Sequence, residues 1–422
     1  MYWLTLQRSQ WYKPDKLFKI QERKIRRLLR WAITEVEFYR ELYQIKDVSQ
    51  INKDKRLLQR LPILTREVIS NTPLNKRTAS SIDLRKTIKR TTSGSTGIPV
   101  TILETRSSAA YWQALYLRRL WAYGVRPGDK VLRMLPSVAP AGIKFFIGRN
   151  PLEKFIWQDL RLLDMSPGID SSFLKEIAKL GIDVMISQPS SISAIMRKLE
   201  ETSLNLSFKI IITTGEVLTP STRRKIQDRF GCDVYDSYST VELGNIAWEC
   251  PTHTAYHINA DSLVLELNDP RQVGRSSIEG EAIGTCLYRY ATPLIRYSTG
   301  DLVRLRDDEC PCGRGLPLLV SVEGRIVEYI VTKNGKLISP SVITSALQSI
   351  GGIKQFKVVQ HPDYTVEVRV VTADEMDHEQ LSSLIEATLT PLLHGLKTRV
   401  RFTDSIEIRG VKLKLVESFV SK

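Results

Sequence analysis

The chain has 422 residues, about three times a typical domain, which excludes a single small binding module and leaves room for more than one packed core. Hydrophobic residues are 42%, charged residues 25% and aromatics 8%, the balance of an ordinary globular protein and too little bias for collagen, coiled coil or disorder. The excess of 61 Lys and Arg over 46 Asp and Glu, formally +15, directs attention to anionic partners: nucleic acid, anionic lipid or an anionic substrate.

From the amino terminus onward, residues 1–13 lack the apolar stretch and small-residue cleavage site of a secretory signal. Elsewhere no apolar run approaches the roughly 20 residues a bilayer requires, so the expectation is a cytoplasmic protein without a transmembrane segment. Residues 1–60 hold about 15 Lys and Arg against about 7 acidic residues, so the basic excess is local. Phe18, Ile25, Leu28, Leu29 and Ala32 recur there at helical spacing. They predict a packed amphipathic helix with a solvated basic face; the alternative is a peripheral electrostatic contact with a membrane surface or acidic partner.

Through the middle of the chain, strands are predicted over 130–134, 181–186, 209–213 and 233–235. Helices fall between them over 171–180 and 191–201, and Thr219-Pro220 starts another. Such alternation means parallel α/β layers, whose active residues lie beyond the strand carboxyl ends. From about 263 the strands become closely spaced, over 263–267, 285–290 and 301–306, as in an antiparallel or barrel-like subdomain. After Gly324-Arg325 a hairpin turning at Asn334-Gly335, strands over 356–359 and 365–371 and a helix over 374–393 make a small α+β domain. The fold class expected is therefore α/β, with a large multi-layer domain over 1–325 and a small α+β domain over 326–422.

The run Thr91-Thr92-Ser93-Gly94-Ser95-Thr96-Gly97 combines hydroxyls with glycines that let backbone N–H groups approach an anion, the composition of a phosphate cradle. It is not a Walker loop, because no Gly-Lys-Ser/Thr follows. Alone, it could equally be a surface turn. Downstream, in order, come Thr213-Thr214-Gly215-Glu216, then Asp236-Ser237-Tyr238-Ser239-Thr240-Val241-Glu242, then Arg296-Tyr297-Ser298-Thr299-Gly300-Asp301, Gly324-Arg325 and a terminal Arg409-Gly410-Val411-Lys412-Leu413-Lys414. This ordered set resembles the adenylate-forming superfamily, most closely its phenylacetate-CoA ligase branch with capsule-biosynthesis relatives, over nearly the whole chain.

The resemblance implies an ATP- and Mg²⁺-dependent enzyme that converts a carboxylic acid, here an aromatic one, to an acyl-adenylate and passes the acyl group to CoA. It implies that Thr92, Ser93, Gly94, Ser95, Thr96 and Gly97 hold the β- and γ-phosphates, and that Glu242 helps coordinate Mg²⁺. Tyr238 would stack on adenine, with Gly215, Glu216, Asp236 and Ser237 lining the base pocket. Asp301 would accept from the ribose hydroxyls, and Arg325 would reach ribose or phosphate. Lys412, with Lys414 as runner-up, aligns with the catalytic lysine of a small domain that rotates about residues 325–328. Two departures stand out: Val241 takes the place of a hydroxyl residue, leaving Thr240 to substitute, and Val327-Glu328 replaces an acidic pair at the hinge.

Five cysteines, an odd number, argue against a disulfide framework. Cys250, His257, Cys310 and Cys312 offer three soft sulfurs and an imidazole, a closed shell for a structural Zn²⁺, with His253 as a substitute ligand. The alternative is free thiols in a Pro-Cys-Gly turn. Cys232 and Cys286 read as buried hydrophobes. Two further functions stay open at this level. One is adenylation with a carrier-protein thiol, sugar or amine as acceptor; the other is nucleic-acid or anionic-membrane binding on an inactive scaffold, although no basic-aromatic module marks a specific nucleic-acid site.

Overall fold

Pro14 opens the 22-residue helix Pro14–Glu35, where a missing N–H leaves no intrahelical bond unmade. Leu17, Leu28, Leu29, Ala32 and Ile33 form its buried face. Phe18, expected inside, is 61% exposed. Adjacent residues lie about 100° apart on a helix, and packing takes Leu17 inward. The structure is a computed structural model describing residues 2–44, 57–92, 100–134, 145–147, 158–162, 169, 171–372, 376–406 and 415–420, with backbone alone for 145–147, 158–162 and 327. Among the described residues no helix is long and apolar enough to cross a membrane.

The chain forms two compact units, Met1–Arg126 with Tyr235–Val322, and Pro127–Val234 with Glu323–Lys422. In the first, the neighbouring strands are, in order, Leu263–Val273, Ser277–Cys286, Tyr297–Arg306, Leu318–Arg325, Tyr256–Ile258, Gly244–Glu249 and Asp233–Thr240. The pairings of Ser277–Cys286 with Leu263–Val273 and Tyr297–Arg306 are antiparallel, as the close strand spacing predicts, and so are those of Tyr256–Ile258 with Leu318–Arg325 and Gly244–Glu249 and of Gly244–Glu249 with Asp233–Thr240. The strand expected over 285–290 stops at Cys286, because the Leu287 amide turns away to donate to the Ser262 carbonyl. The helix Arg106–Ala122, capped by Thr105, ties to this sheet through the Ser108 hydroxyl, which donates to the Tyr288 carbonyl at 2.9 Å. Leu28, Leu29, Ile102, Leu115, Ile246 and Ile295 belong to the common core.

In the second unit, Ile210–Thr214, Val184–Ser187, Lys130–Met134 and Gln158–Leu162 run parallel, with Phe145–Ile147 antiparallel at the edge. All five side chains of Ile210–Thr214 are buried, the continuous run expected of a strand covered on both faces. The helices Ser171–Leu180, Pro189–Glu200 and Pro220–Phe230 bring Phe173, Ile177, Ile192, Ile195 and Ile226 against Leu132, Met185 and Ile211. Thr219 caps the last of these, its hydroxyl accepting from the Thr222 amide at 3.1 Å. The strand predicted over 181–186 starts only at Val184, since Gly181 holds a left-handed turn at φ 58.

Within the same unit, the hairpin Ile330–Val331 with Leu337–Ile338 turns at Gly335, φ 78. A four-stranded sheet follows in the order Thr398–Phe402, Val366–Thr372, Ile353–Gln360, Val416–Ser418. The helices Pro340–Gln348 and His378–Leu389 share a core with it, centred on Ile343, Leu347, Val358, Val368 and Ile385. The second helix is shorter than the predicted 374–393 because Asp377 caps it, accepting from the Glu379 and Gln380 amides.

Candidate active site

Thr92 follows the strand Ile88–Thr91, which pairs antiparallel with Thr101–Glu104. Its hydroxyl oxygen accepts from the Val100 amide at 2.9 Å, and its own amide donates to the Val100 carbonyl at 3.0 Å. The two ends of the glycine- and serine-rich turn are thus pinned together. Ser93, Gly94, Ser95, Thr96 and Gly97 lie outside the described residues.

Arg66 connects this turn to a distant motif. It opens the short helix Arg66–Asn71, capped by Thr65, and its Nη2 donates to the Thr92 hydroxyl oxygen at 2.7 Å while Nη1 donates to Glu242 Oε1 at 3.0 Å. The Tyr297 hydroxyl donates to the same carboxylate oxygen at 3.2 Å. Burial, then the Glu242 charge, holds the Tyr297 phenol well above its ordinary pKa, so it stays a donor. Oε2 of Glu242 accepts from none of the described residues. The backbone beneath is fixed too: Arg289 Nη1 donates to the Val241 carbonyl at 2.7 Å and to the Glu242 carbonyl, and Nη2 pairs with Glu104 at 2.7 Å. The Thr240 hydroxyl oxygen accepts from the Leu243 amide at 3.0 Å, so this hydroxyl shapes the turn, while Val241 faces outward, 38% exposed.

On the preceding strand, Asp233–Thr240, the Tyr238 hydroxyl donates to Asp301 Oδ2 at 2.7 Å, and Thr299 steadies Asp301 by accepting from its amide at 3.1 Å. Tyr238 and Asp301 are both buried. Asp236 is also engaged: its amide donates to Glu249 at 2.7 Å and its Oδ2 accepts from the Tyr256 hydroxyl at 2.8 Å. Ser237 is buried beside it. The first unit therefore brings together Thr92, Thr240, Glu242, Tyr238 and Asp301, and adds Arg66, Tyr297 and Arg289, which sequence reasoning did not assign.

Gly215, Glu216 and Arg325 belong to the second unit. Gly215, φ 83, ends the strand Ile210–Thr214 in a left-handed turn. Glu216 accepts from the Ser190 amide at 3.0 Å and hydroxyl at 2.8 Å, in the first turn of Pro189–Glu200. Arg325 precedes the 3-10 turn Ile326–Glu328. Lys412 and Lys414 lie outside the described residues.

Cys250, His257, Cys310 and Cys312 converge, with ligand atoms all within 4.8 Å of one another. Cys250 Sγ and Cys310 Sγ are 3.6 Å apart, and Cys312 Sγ is 3.2 Å from His257 Nε2. A tetrahedral zinc with bonds of about 2.3 Å would space two sulfurs about 3.8 Å apart, so the donor set fits that ion. Burial, then the Arg314 charge, draws His257 down to about 4, leaving a neutral imidazole; burial pushes the Cys250 thiol up to about 11. His253 does not join the cluster, since its Nδ1 meets Glu249 at 3.1 Å and its ring stacks on Tyr235. The loop carrying Cys310 and Cys312 docks on the amino terminus: Gly315 donates to the Gln10 carbonyl, and a Cβ there would collide with the Tyr12 carbonyl oxygen. Cys286 is fully buried and Cys232 half-buried.

No protein-family model matches the chain. It is 24% identical over 436 residues to the phenylacetate-coenzyme A ligase of Thermus thermophilus, covering 95% of this chain and 92% of that protein. It is 22% identical over 382 residues to Protein CapK of Staphylococcus aureus, covering 87% and 81%. Among solved structures, 2-hydroxyisobutyryl-CoA ligase in its postadenylation state superposes with a TM-score of 0.82 at 20% identity, over 98% of this chain and 92% of that one. The mixed α/β architecture is thus that of the adenylate-forming ligases. The chain is thus similar over nearly its whole length to phenylacetate-coenzyme A ligases, and it shares the fold of 2-hydroxyisobutyryl-CoA ligase.

Proposed function

We propose that the protein is an ATP-dependent acid–CoA ligase. A carboxylate oxygen attacks the α-phosphorus of ATP and pyrophosphate leaves; the CoA thiol then attacks the acyl carbon, gives up its proton, and AMP leaves. The observation that carries this reading is a pair of hydrogen-bonded groups in the first unit. Arg66 joins the base of the phosphate turn to Glu242, and the strand leading to Glu242 carries Tyr238 onto Asp301. Anionic chemistry at phosphorus needs cations and donors where charge builds up, and an acidic side chain to hold a metal ion.

The individual roles rest on the resemblance. Thr92 to Gly97 take the outer phosphates, Tyr238 with Asp236, Ser237, Gly215 and Glu216 takes the base, Asp301 the ribose and Arg325 the ribose or phosphate. Thr240 supplies the hydroxyl that Val241 lacks. Glu242 fits Mg²⁺ because its Oε2 accepts from none of the described residues while Oε1 is held by Arg66 and Tyr297; the ion, when bound, would offset phosphate charge. Residues 326–422 form the small domain, and its Lys412 neutralises the reacting carboxylate and α-phosphate. A substrate acid of aromatic type and a cytoplasmic location, where ATP and CoA are supplied, complete the proposal. Transfer to a carrier thiol, sugar or amine, and nucleic-acid or membrane binding on an inactive scaffold, have less support: four of the curated relatives are named as CoA ligases.

ATP–pyrophosphate exchange across a panel of aromatic and aliphatic acids, with CoA consumption followed in parallel, tests the reading. Exchange is expected with at least one acid, and Lys412→Ala should lower it at least about tenfold while Lys414→Ala leaves most of it. Exchange without CoA consumption would move the acceptor away from CoA; no exchange with any acid would overturn the ligase.

We also propose a structural zinc on Cys250, His257, Cys310 and Cys312. Metal analysis of the purified protein is expected to find one zinc per chain, and Cys312→Ser to lose it together with several degrees of Tm. A metal-free protein whose Tm is unmoved by chelator would remove the ion from the account.

A further inference from the structure

Two cations approach Glu242, and they are placed for different work. Arg289 is 3% exposed, with Nη2 on Glu104 and Nη1 on the Val241 and Glu242 carbonyls. Its donors hold the chain, and the buried Glu104 balances its charge. Arg66 instead reaches the Glu242 carboxylate itself, its side chain 22% exposed, and spans from there to the Thr92 hydroxyl. Thr92 is the last described residue before the phosphate turn, and its hydroxyl oxygen also takes the Val100 amide that closes the turn's base. A guanidinium held between the foot of a phosphate turn and a metal-seeking carboxylate has a fork that matches phosphate oxygens.

We propose that Arg66 is a phosphate-binding residue of the ligase, contacting the outer phosphates of ATP and the pyrophosphate that departs. The inference rests on the ligase reading above and adds to it a residue that the motif pattern leaves unassigned. In the structure Arg66 is paired with Glu242. The guanidinium carries five N–H donors, so it can hold the carboxylate and meet a phosphate oxygen at once, and a divalent cation on Glu242 would strengthen the second contact without being required for it.

A role limited to holding Glu242 in place would act only through the metal, so the decisive measurement leaves the metal out. Binding of ATP, pyrophosphate and AMP is titrated calorimetrically in EDTA to wild type, Arg66→Gln and Arg66→Lys. Arg66→Gln is expected to weaken ATP and pyrophosphate about tenfold and AMP less than twofold, since AMP lacks the outer phosphates; Arg66→Lys should recover part of the loss. Glu242→Gln, which loosens the hold on the guanidinium by removing the carboxylate charge, is expected to tighten metal-free ATP at least threefold, an arm that remains readable if the Arg66 variants fold poorly. An unchanged preference for ATP over AMP in Arg66→Gln, or weaker ATP binding in Glu242→Gln, overturns the proposal. Failure of wild type to bind ATP even with Mg²⁺ would instead sink the ligase reading itself.

Discussion

Replacing Glu242 with glutamine is expected to lower ATP–pyrophosphate exchange about 100- to 1000-fold in Mg²⁺ while leaving Tm within about two degrees of wild type. The amide keeps an acceptor oxygen for Arg66 Nη1 and the Tyr297 hydroxyl, at 3.0 and 3.2 Å in the parent. Arg289 still holds the Val241 and Glu242 carbonyls, so the turn has no reason to move. What disappears is the formal charge on Oε1 and Oε2, the property a hard dication selects. The loss should therefore appear in the rate at saturating ATP, and raising Mg²⁺ should recover little of it. Exchange within threefold of wild type would mean that Glu242 only braces Arg66 and Tyr297, and the metal role would pass to another residue.

Much of the scaffold was readable from local pattern. The strand Lys130–Met134 and the helix Ser171–Leu180 have the bounds predicted, because a short apolar run and an amphipathic period each decide their own conformation. Thr219 with Pro220 announced a helix start through cap chemistry confined to a few residues. Phe18 failed for the opposite reason: Leu17 and Phe18 suit the same helix equally, and only the partner surface decides which turns inward. The site divides along the same line. Residue types exposed the thiol and imidazole cluster, whereas the choice of His257 over His253 depended on a turn, φ 56 at His253, that aims the latter at Glu249 and Tyr235. Arg66 carries no motif, and its partner lies 176 residues away. A pair of that separation becomes visible only once the strands are in place.

The buried pair Arg118–Asp261 should show the largest effect on stability. Arg118 is 0% exposed and Asp261 2%, with Nη1 to Oδ2 at 2.6 Å and Nη2 to Oδ1 at 3.3 Å. Ser9 and Ser262 donate to the same carboxylate, and Arg118 donates onward to the Leu6 carbonyl and Asn259, so the pair ties the helix Tyr2–Ser9 to Arg106–Ala122. Asp261→Leu strands a buried guanidinium and is expected to cost about 3–5 kcal/mol by denaturant titration; Arg118→Met with Asp261→Leu should cost less than Asp261→Leu alone, because the stranded charge goes too. Equal costs would mean the pair acts through packing. The pH dependence has a definite sign. Burial raises the Asp261 carboxyl, but the Arg118 charge and the hydrogen bonds from Arg118 and Ser9 outweigh it and hold the pKa below the ordinary value. The unfolded chain then takes up the proton first as pH falls, so the contribution is complete above about pH 4 and is lost below it, through the folded-state pKa. Acid titration of stability in the double variant should accordingly be shallower below about pH 4 than in wild type, and an equally steep or steeper slope there would contradict the assignment.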